Sequence, residues 1–275
     1  MNEKLKAAVY GFAVGDALGV PFEFKERGSF DCLGMVGGGT WKQPAGTWSD
    51  DTSMILATCE SIKHKGKLDL EDVMLNFAKW YYMGEFTPHG ECFDIGRTTR
   101  NAIEKYMDCE QKYIFCGGTD ERSNGNGSLM RILPIAFLPE FKVNDVRNLS
   151  RLTHGHEISQ NCCVHYVWFM RKLIDDPDCN FRYNDLYFVD IVNRTMDEVK
   201  STGYVVDSLE AALWCFGTSK SYVEAVLKAV NLGGDTDTIA ALTGALAGLK
   251  WGLEAIPEKW IKQLANKELI DSCLF

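Results

Sequence analysis

The sequence lacks the signals of a β fold. It holds no run of alternating β-branched residues, and no pair of such runs joined by a tight turn, which argues against a sheet. None of its ten cysteines forms a C-x-x-C pair, and several, such as Cys59 and Cys215, sit inside apolar helical patterns. Reduced core thiols in a cytoplasmic protein are therefore expected, rather than a disulfide framework or a zinc site. Basic charge is outweighed: 29 Lys and Arg stand against 38 Asp and Glu, a formal net charge of −9. That argues against broad electrostatic binding to nucleic acid or to an anionic membrane. An anionic small molecule stays admissible, because a bound cation reverses the local sign. The longest apolar run, Ile239 to Leu249, is too short to span a bilayer, and the polar stretch Met1 to Lys6 carries no signal-peptide pattern. There is no long linker, low-complexity segment or clear internal repeat.

What is present is helical. Leu5 to Leu18 is apolar and rich in Ala and Gly, as in a buried helix whose Gly11 and Gly15 admit close neighbours. Asp16, interrupting it, reads as a hydrogen-bonded core acid. Apolar residues recur at helical spacing over Thr52 to Ile62. Further helices are expected from Leu68 through Tyr82, from near Gly96, over Val143–Leu152 and over Glu157–Ile174. Four more are expected at Asn184–Val199, Ser208–Phe216, Ser221–Asn231 and Pro257–Leu264. In the segment after Thr238, Ala240, Gly244 and Gly248 recur at four-residue spacing and would form a groove for another helix. The fold class expected is all-α, one compact orthogonal bundle forming a single domain over residues 1–275.

Two acidic knots stand out. Gly233-Gly234-Asp235-Thr236-Asp237-Thr238 sets two carboxylates and two hydroxyls after a glycine pair. Ser49-Asp50-Asp51-Thr52 has the same build. Each opens a helix, so each could be merely a capped N-terminus with an acidic first turn. Brought together, they would make an oxygen-rich site for hard divalent ions. Glu23, between two phenylalanines, reads alone as a surface acid. The Gly/Asn/Ser stretch Ser123 to Ser128 is neither a P-loop nor a dinucleotide fingerprint; it reads as a loop feeding a helix, able to aim backbone N–H groups at phosphate. His154 and His156 have metal-ligand spacing, but a helix-entry loop accounts for them.

Taken in order, "GDALGVPFEF", "GTWSDDTSM", "SNGNGSLMR", the Thr153-His154 pair and "AVNLGGDTDT" resemble the ADP-ribosylglycohydrolases. The resemblance implies an all-α bundle with two Mg²⁺ ions, Mn²⁺ being an alternative. It makes Ser49, Asp50 and Asp51 ligands of one ion, and Asp235 and Thr238 ligands of the other, with Asp237 bridging. Glu23 and Asp94 become the acids beside the scissile bond, Ser123, Asn124, Gly125, Asn126 and Gly127 the diphosphate cradle, and His154 a contact on the ribose or adenosine side. The implied reaction is hydrolysis of ADP-ribose from an acceptor, with N-linked arginine or another guanidine favoured over O-linked acceptors. Implied partners are an ADP-ribosylated protein or small molecule and the product ADP-ribose, with nucleic acid only as an ADP-ribosylated substrate. Rival readings are a non-catalytic binding or crystallin-like protein on the same fold, and a metal-dependent phosphatase.

Overall fold

The computed structural model describes residues 2–108, 112–179, 181 and 186–275. Cys109 and the first two residues of the helix expected at 184–199 lie outside them. Among the described residues no strand forms beyond isolated bridges, such as Gly118 with His154 and Gly125 with Tyr204. The α-helices, in chain order, are α1 (Glu3–Gly19), α2 (Asp50–Lys65), α3 (Leu70–Met83), α4 (Arg97–Met107), α5 (Val143–Arg151) and α6 (Glu157–Asp175). They continue with α7 (Leu186–Val192), α8 (Val205–Gly217), α9 (Tyr222–Asn231), α10 (Thr236–Trp251), α11 (Glu258–Gln263) and α12 (Lys267–Cys273). No helix among the described residues is long and apolar enough to cross a membrane, and the described cysteines are free thiols.

Helices α1 and α10 are buried along nearly their whole length and press backbone to backbone. A Cβ placed on Gly11 would lie 2.3 Å from Gly244 O, one on Gly15 2.1 Å from Ala240 O, and one on Gly248 2.3 Å from Ala7 O. The two small-residue stripes expected from the sequence therefore face each other. Buried tyrosines bond to carbonyls of this pair: Tyr222 donates to Gly11 O (2.7 Å) and Tyr166 to Leu242 O (2.8 Å). The close approach fixes where α10 begins. At Gly19 a Cβ would stand 2.3 Å from Asp237 Cα, so the second acidic knot lies against the end of α1.

Two expected helices differ from what forms. The loop after Ser123 leads not into an α-helix but into 3₁₀ turns, one over Leu133–Phe137 with Pro134 in its first turn, where the ring removes an N–H. The helix expected at 184–199 stops at Val192, and a separate 3₁₀ turn covers Met196–Glu198. There Glu198 Oε2 accepts from Thr195 N (2.8 Å) and Thr195 Oγ1 (2.9 Å), restarting the chain with a capping box.

Candidate active site

Asp16 organises the first knot. Its carboxylate, fully buried on α1, accepts from Ser49 N (3.0 and 3.1 Å), Thr52 N (3.1 Å) and Thr52 Oγ1 (2.6 Å). It thereby satisfies backbone N–H groups at the start of α2, which otherwise have no intrahelical partner. Ser49 is the N-cap, its Oγ accepting from Asp51 N (3.3 Å), so the helix starts at Asp50. Asp16→Ala should leave these buried donors unpaired and lower unfolding free energy by about 3 kcal/mol, read from urea denaturation.

The second knot is held by its glycines. Gly233 and Gly234 adopt φ of +70° and +74°, a region that disfavours a Cβ. Their backbone bonds tie three segments together: Gly234 N to Lys25 O (2.9 Å), Phe24 N to Gly234 O (2.8 Å) and Asp235 N to Ser201 O (2.9 Å). The first two fasten the chain just after Glu23 to the start of α10. Glu23 is thus 5% exposed, not the surface acid its neighbours suggested.

The knots meet. Thr238 Oγ1 donates to Asp51 Oδ2 (3.1 Å) across 187 residues, and Ser49 Oγ donates to the same oxygen (3.2 Å). Glu23, Asp94 and Asp237 each bring one carboxylate oxygen within 4.8 Å of the other two. These acids line one wall of a cleft of about 240 Å³ with Asp50, Asp51, Asp235 and Thr238. Gly125, Asn126, Gly127 and His154 line the cleft as well, with Arg97 and Thr99. Ser123 and Asn124 are not in its wall. Ser123 Oγ donates to Asp120 Oδ2 (2.7 Å), while Asn124 donates to Glu121 O (3.1 Å) and accepts from Ser159 Oγ (2.9 Å). Asn126 joins the walls, its Nδ2 donating to Asp235 Oδ2 (2.8 Å) and Ser208 Oγ (3.0 Å). His156 caps α6, accepting from Ile158 N (3.2 Å).

Burial and mutual repulsion raise these carboxyls above the ordinary carboxylate range, so their charged forms are opposed unless a cation offsets them. Burial pushes Glu23 up to about 7, against a hydrogen bond from Trp41 that lowers it. Burial, then the charges of Asp50 and Glu23, push Asp94 up to about 11. Asp50, Asp51 and Asp237 are also driven well up, first by burial and then by neighbouring acids. Asp51 Oδ1 and Asp237 Oδ1, on two different helices, are buried with no hydrogen-bond partner among the described residues. Ordinary capping explains neither oxygen. All the donors are hard oxygens, the set that suits Mg²⁺ or Mn²⁺, and the residues present fit such ions.

Sequence reasoning missed Trp41. Its Nε1 donates to Glu23 Oε2 (2.5 Å), and its ring packs against Phe93 with centroids 5.9 Å apart. It lies in a glycine-rich stretch with no periodic pattern, and the one available signal is an indole donor beside conspicuous glycines. Asp94 carries φ of +58°, a backbone state that is uncommon outside glycine and that only coordinates reveal.

A profile of the ADP-ribosylglycohydrolase family matches residues 1–274. ADP-ribosylarginine hydrolase Tri1 of Serratia proteamaculans is 34% identical over 98% of this chain and 77% of its own length. The ADP-ribosyl-[dinitrogen reductase] glycohydrolase of Rhodospirillum rubrum is 31% identical over 97% of this chain and 92% of its own. Among solved structures, an ADP-ribosylglycohydrolase-related protein complex superposes with a TM-score of 0.79 at 33% identity, covering 98% of this chain and 95% of that one. With the helical architecture and the paired acidic helix N-termini, these likenesses place the chain in the ADP-ribosylglycohydrolase family, as a hydrolase of glycosyl bonds.

Proposed function

We propose that the chain hydrolyses the N-glycosidic bond between ADP-ribose and an arginine side chain, releasing ADP-ribose, with two Mg²⁺ (or Mn²⁺) ions in the cleft. The observation that supports this most is the joining of unlike walls in one cleft. Acidic starts of α2 and α10 meet a glycine-rich loop, 125–127, and His154. The acidic end suits a cation and the ribose hydroxyls; the loop end suits a diphosphate. Arginine as acceptor is supported by the relatives whose names specify ADP-ribosylarginine.

Ser49, Asp50 and Asp51 would hold one ion, Asp235 and Thr238 the other, and Asp237 both. Bound there, the ions would orient the distal-ribose hydroxyls and make a nearby water more acidic. The chain's own groups do the rest. Water adds its oxygen to the anomeric carbon while the bond to the guanidino nitrogen breaks, and that nitrogen leaves with the bonding pair. Glu23 in its ionised form takes a proton from water, and Asp94, the second carrier, in its protonated form gives one to the departing nitrogen. The carbon passes through an oxocarbenium-like state, whose positive charge ionised carboxylates nearby stabilise. Gly125 and Gly127 leave room at the loop, where a Cβ on Gly127 would meet His154 Cε1 and Thr99 Oγ1 at 2.9 Å.

Trp41→Phe keeps an aromatic ring beside Phe93 and deletes the donor to Glu23. It should lower kcat about tenfold, by the loss of one hydrogen bond to a charged group, with circular dichroism unchanged. The acceptor assignment is tested by a panel of ADP-ribose linked to arginine, serine and a nucleic-acid end, each supplied at equal concentration with Mg²⁺. Fastest release from arginine supports it. Release confined to another linkage overturns the acceptor, and binding of ADP-ribose with no release from any substrate overturns catalysis.

A further inference from the structure

Behind the loop wall lies a buried cation that touches no part of the cleft. Arg131 is fully buried, its guanidinium 4.6 Å from the Phe77 ring centroid. Among the described residues no carboxylate pairs with it. Its hydrogen bond runs from Nη2 to Thr153 Oγ1 (2.8 Å), and Thr153 Oγ1 lies 2.8 Å from His154 Nδ1.

The direction of this chain follows from what each atom can do. A guanidinium only donates, so the Thr153 oxygen accepts from it. The Thr153 hydroxyl is buried at 0% exposure and meets no other acceptor among the described residues. Were His154 to donate from Nδ1, that hydroxyl proton would be left unpaired in the interior, which is costly. Thr153 therefore donates to Nδ1, and the ring carries its proton on Nε2. Burial and the Arg131 charge push His154 down to about 3, so a second proton is opposed. The Nε2 edge lies at the loop, 3.5 Å from the Cβ positions that Gly125 and Gly127 lack, and His154 lines the cleft.

We propose that Arg131 and Thr153 are positioning residues that lock His154 as a neutral Nε2–H donor aimed at the diphosphate end of the cleft. The orientation of the ring stands on geometry alone; its ligand rests on the ADP-ribose reading above. The chain thus sets one fixed donor opposite a wall of acids, orienting an anionic substrate end to end. Because neither Arg131 nor Thr153 lines the cleft, they act through this ring.

The test uses the full chain labelled with ¹⁵N-histidine. Long-range ¹H–¹⁵N correlation reports which ring nitrogen carries the proton, with His154 assigned by comparison with His154→Gln. The expected spectrum shows Nε2–H alone in the wild type and in Thr153→Ser, and a tautomer mixture in Thr153→Val. ADP-ribose affinity, measured by calorimetry, should fall about tenfold in Thr153→Val and be restored in Thr153→Ser, with KM rising and kcat little changed. An Nδ1–H wild-type ring overturns the proposal, as does a Thr153→Val spectrum identical to wild type. If Thr153→Val does not fold, the wild-type spectrum still decides. If the wild type binds no ADP-ribose, the functional reading fails while the tautomer result stands by itself.

Discussion

Asp237→Asn should abolish turnover and leave the helical circular dichroism unchanged. The residue sits in the first turn of α10, is 1% exposed, and presents Oδ1 with no hydrogen-bond partner among the described residues. Its carboxylate clusters with those of Glu23 and Asp94, and it is the residue proposed to serve both ions. An amide of the same shape offers one neutral oxygen in place of a charge. Loss of several kcal/mol of charge stabilisation corresponds to about a thousandfold or more in rate. Stability should move the other way. Burial and the surrounding acids raise the Asp237 carboxyl well above its ordinary value, so its charged form opposes folding at neutral pH. In chelator, Asp237→Asn should therefore melt at a higher temperature than wild type. The same sign governs Glu23, shifted from 4.5 to about 7: the stability it lends is full below 4.5 and is lost as pH rises through 7. Melting of the chelated wild type should fall across that window, and Mg²⁺ should flatten the profile. An Asp237→Asn chain that turns over normally would remove the residue from the site.

Gly15→Val should be the most damaging change outside the cleft. A single Cβ there would lie 2.1 Å from Ala240 O and 2.5 Å from Ala240 C, both backbone atoms that no rotamer change can move. The helices α1 and α10 would have to separate, and overpacking of this kind costs about 3 kcal/mol. Since Asp16 and the start of α10 flank the contact, activity should fall along with stability. Gly34→Ala is the control: its nearest foreign atom is Trp260 Nε1 at an ordinary 3.6 Å, and its melting temperature should barely move. Equal melting of the two variants would mean that α1 and α10 are not in backbone contact.

The fold and half of the site were legible because local chemistry announced them. Two clusters that each hold more carboxylates and hydroxyls than one N-cap needs point beyond capping, and glycine and alanine at four-residue spacing mark a stripe that another backbone can approach closely. Asp16 was readable as a bonded core acid, though not that it serves Ser49 and Thr52. What stayed hidden depends on tertiary approach. Trp41 meets Glu23 only because a glycine-rich loop folds back. Arg131 closes a motif of which Gly125, Asn126, Gly127 and Met130 line the cleft, while its own side chain is buried in the core. Ser123 and Asn124 look like phosphate contacts in a polar run, yet their side chains are bound to Asp120 and Ser159. The acids at positions 23 and 94 become one group only where the turn at 233–234 pins the chain after Glu23.

Metal-dependent release of ADP-ribose is the quantity to measure. Purified chain is mixed with ADP-ribosyl-arginine, and free ADP-ribose is followed in Mg²⁺, in excess chelator, and after Mg²⁺ is restored. Release, its loss and its recovery are expected in that order. Undiminished release in chelator, or none in Mg²⁺, would contradict the proposed metal-dependent hydrolysis.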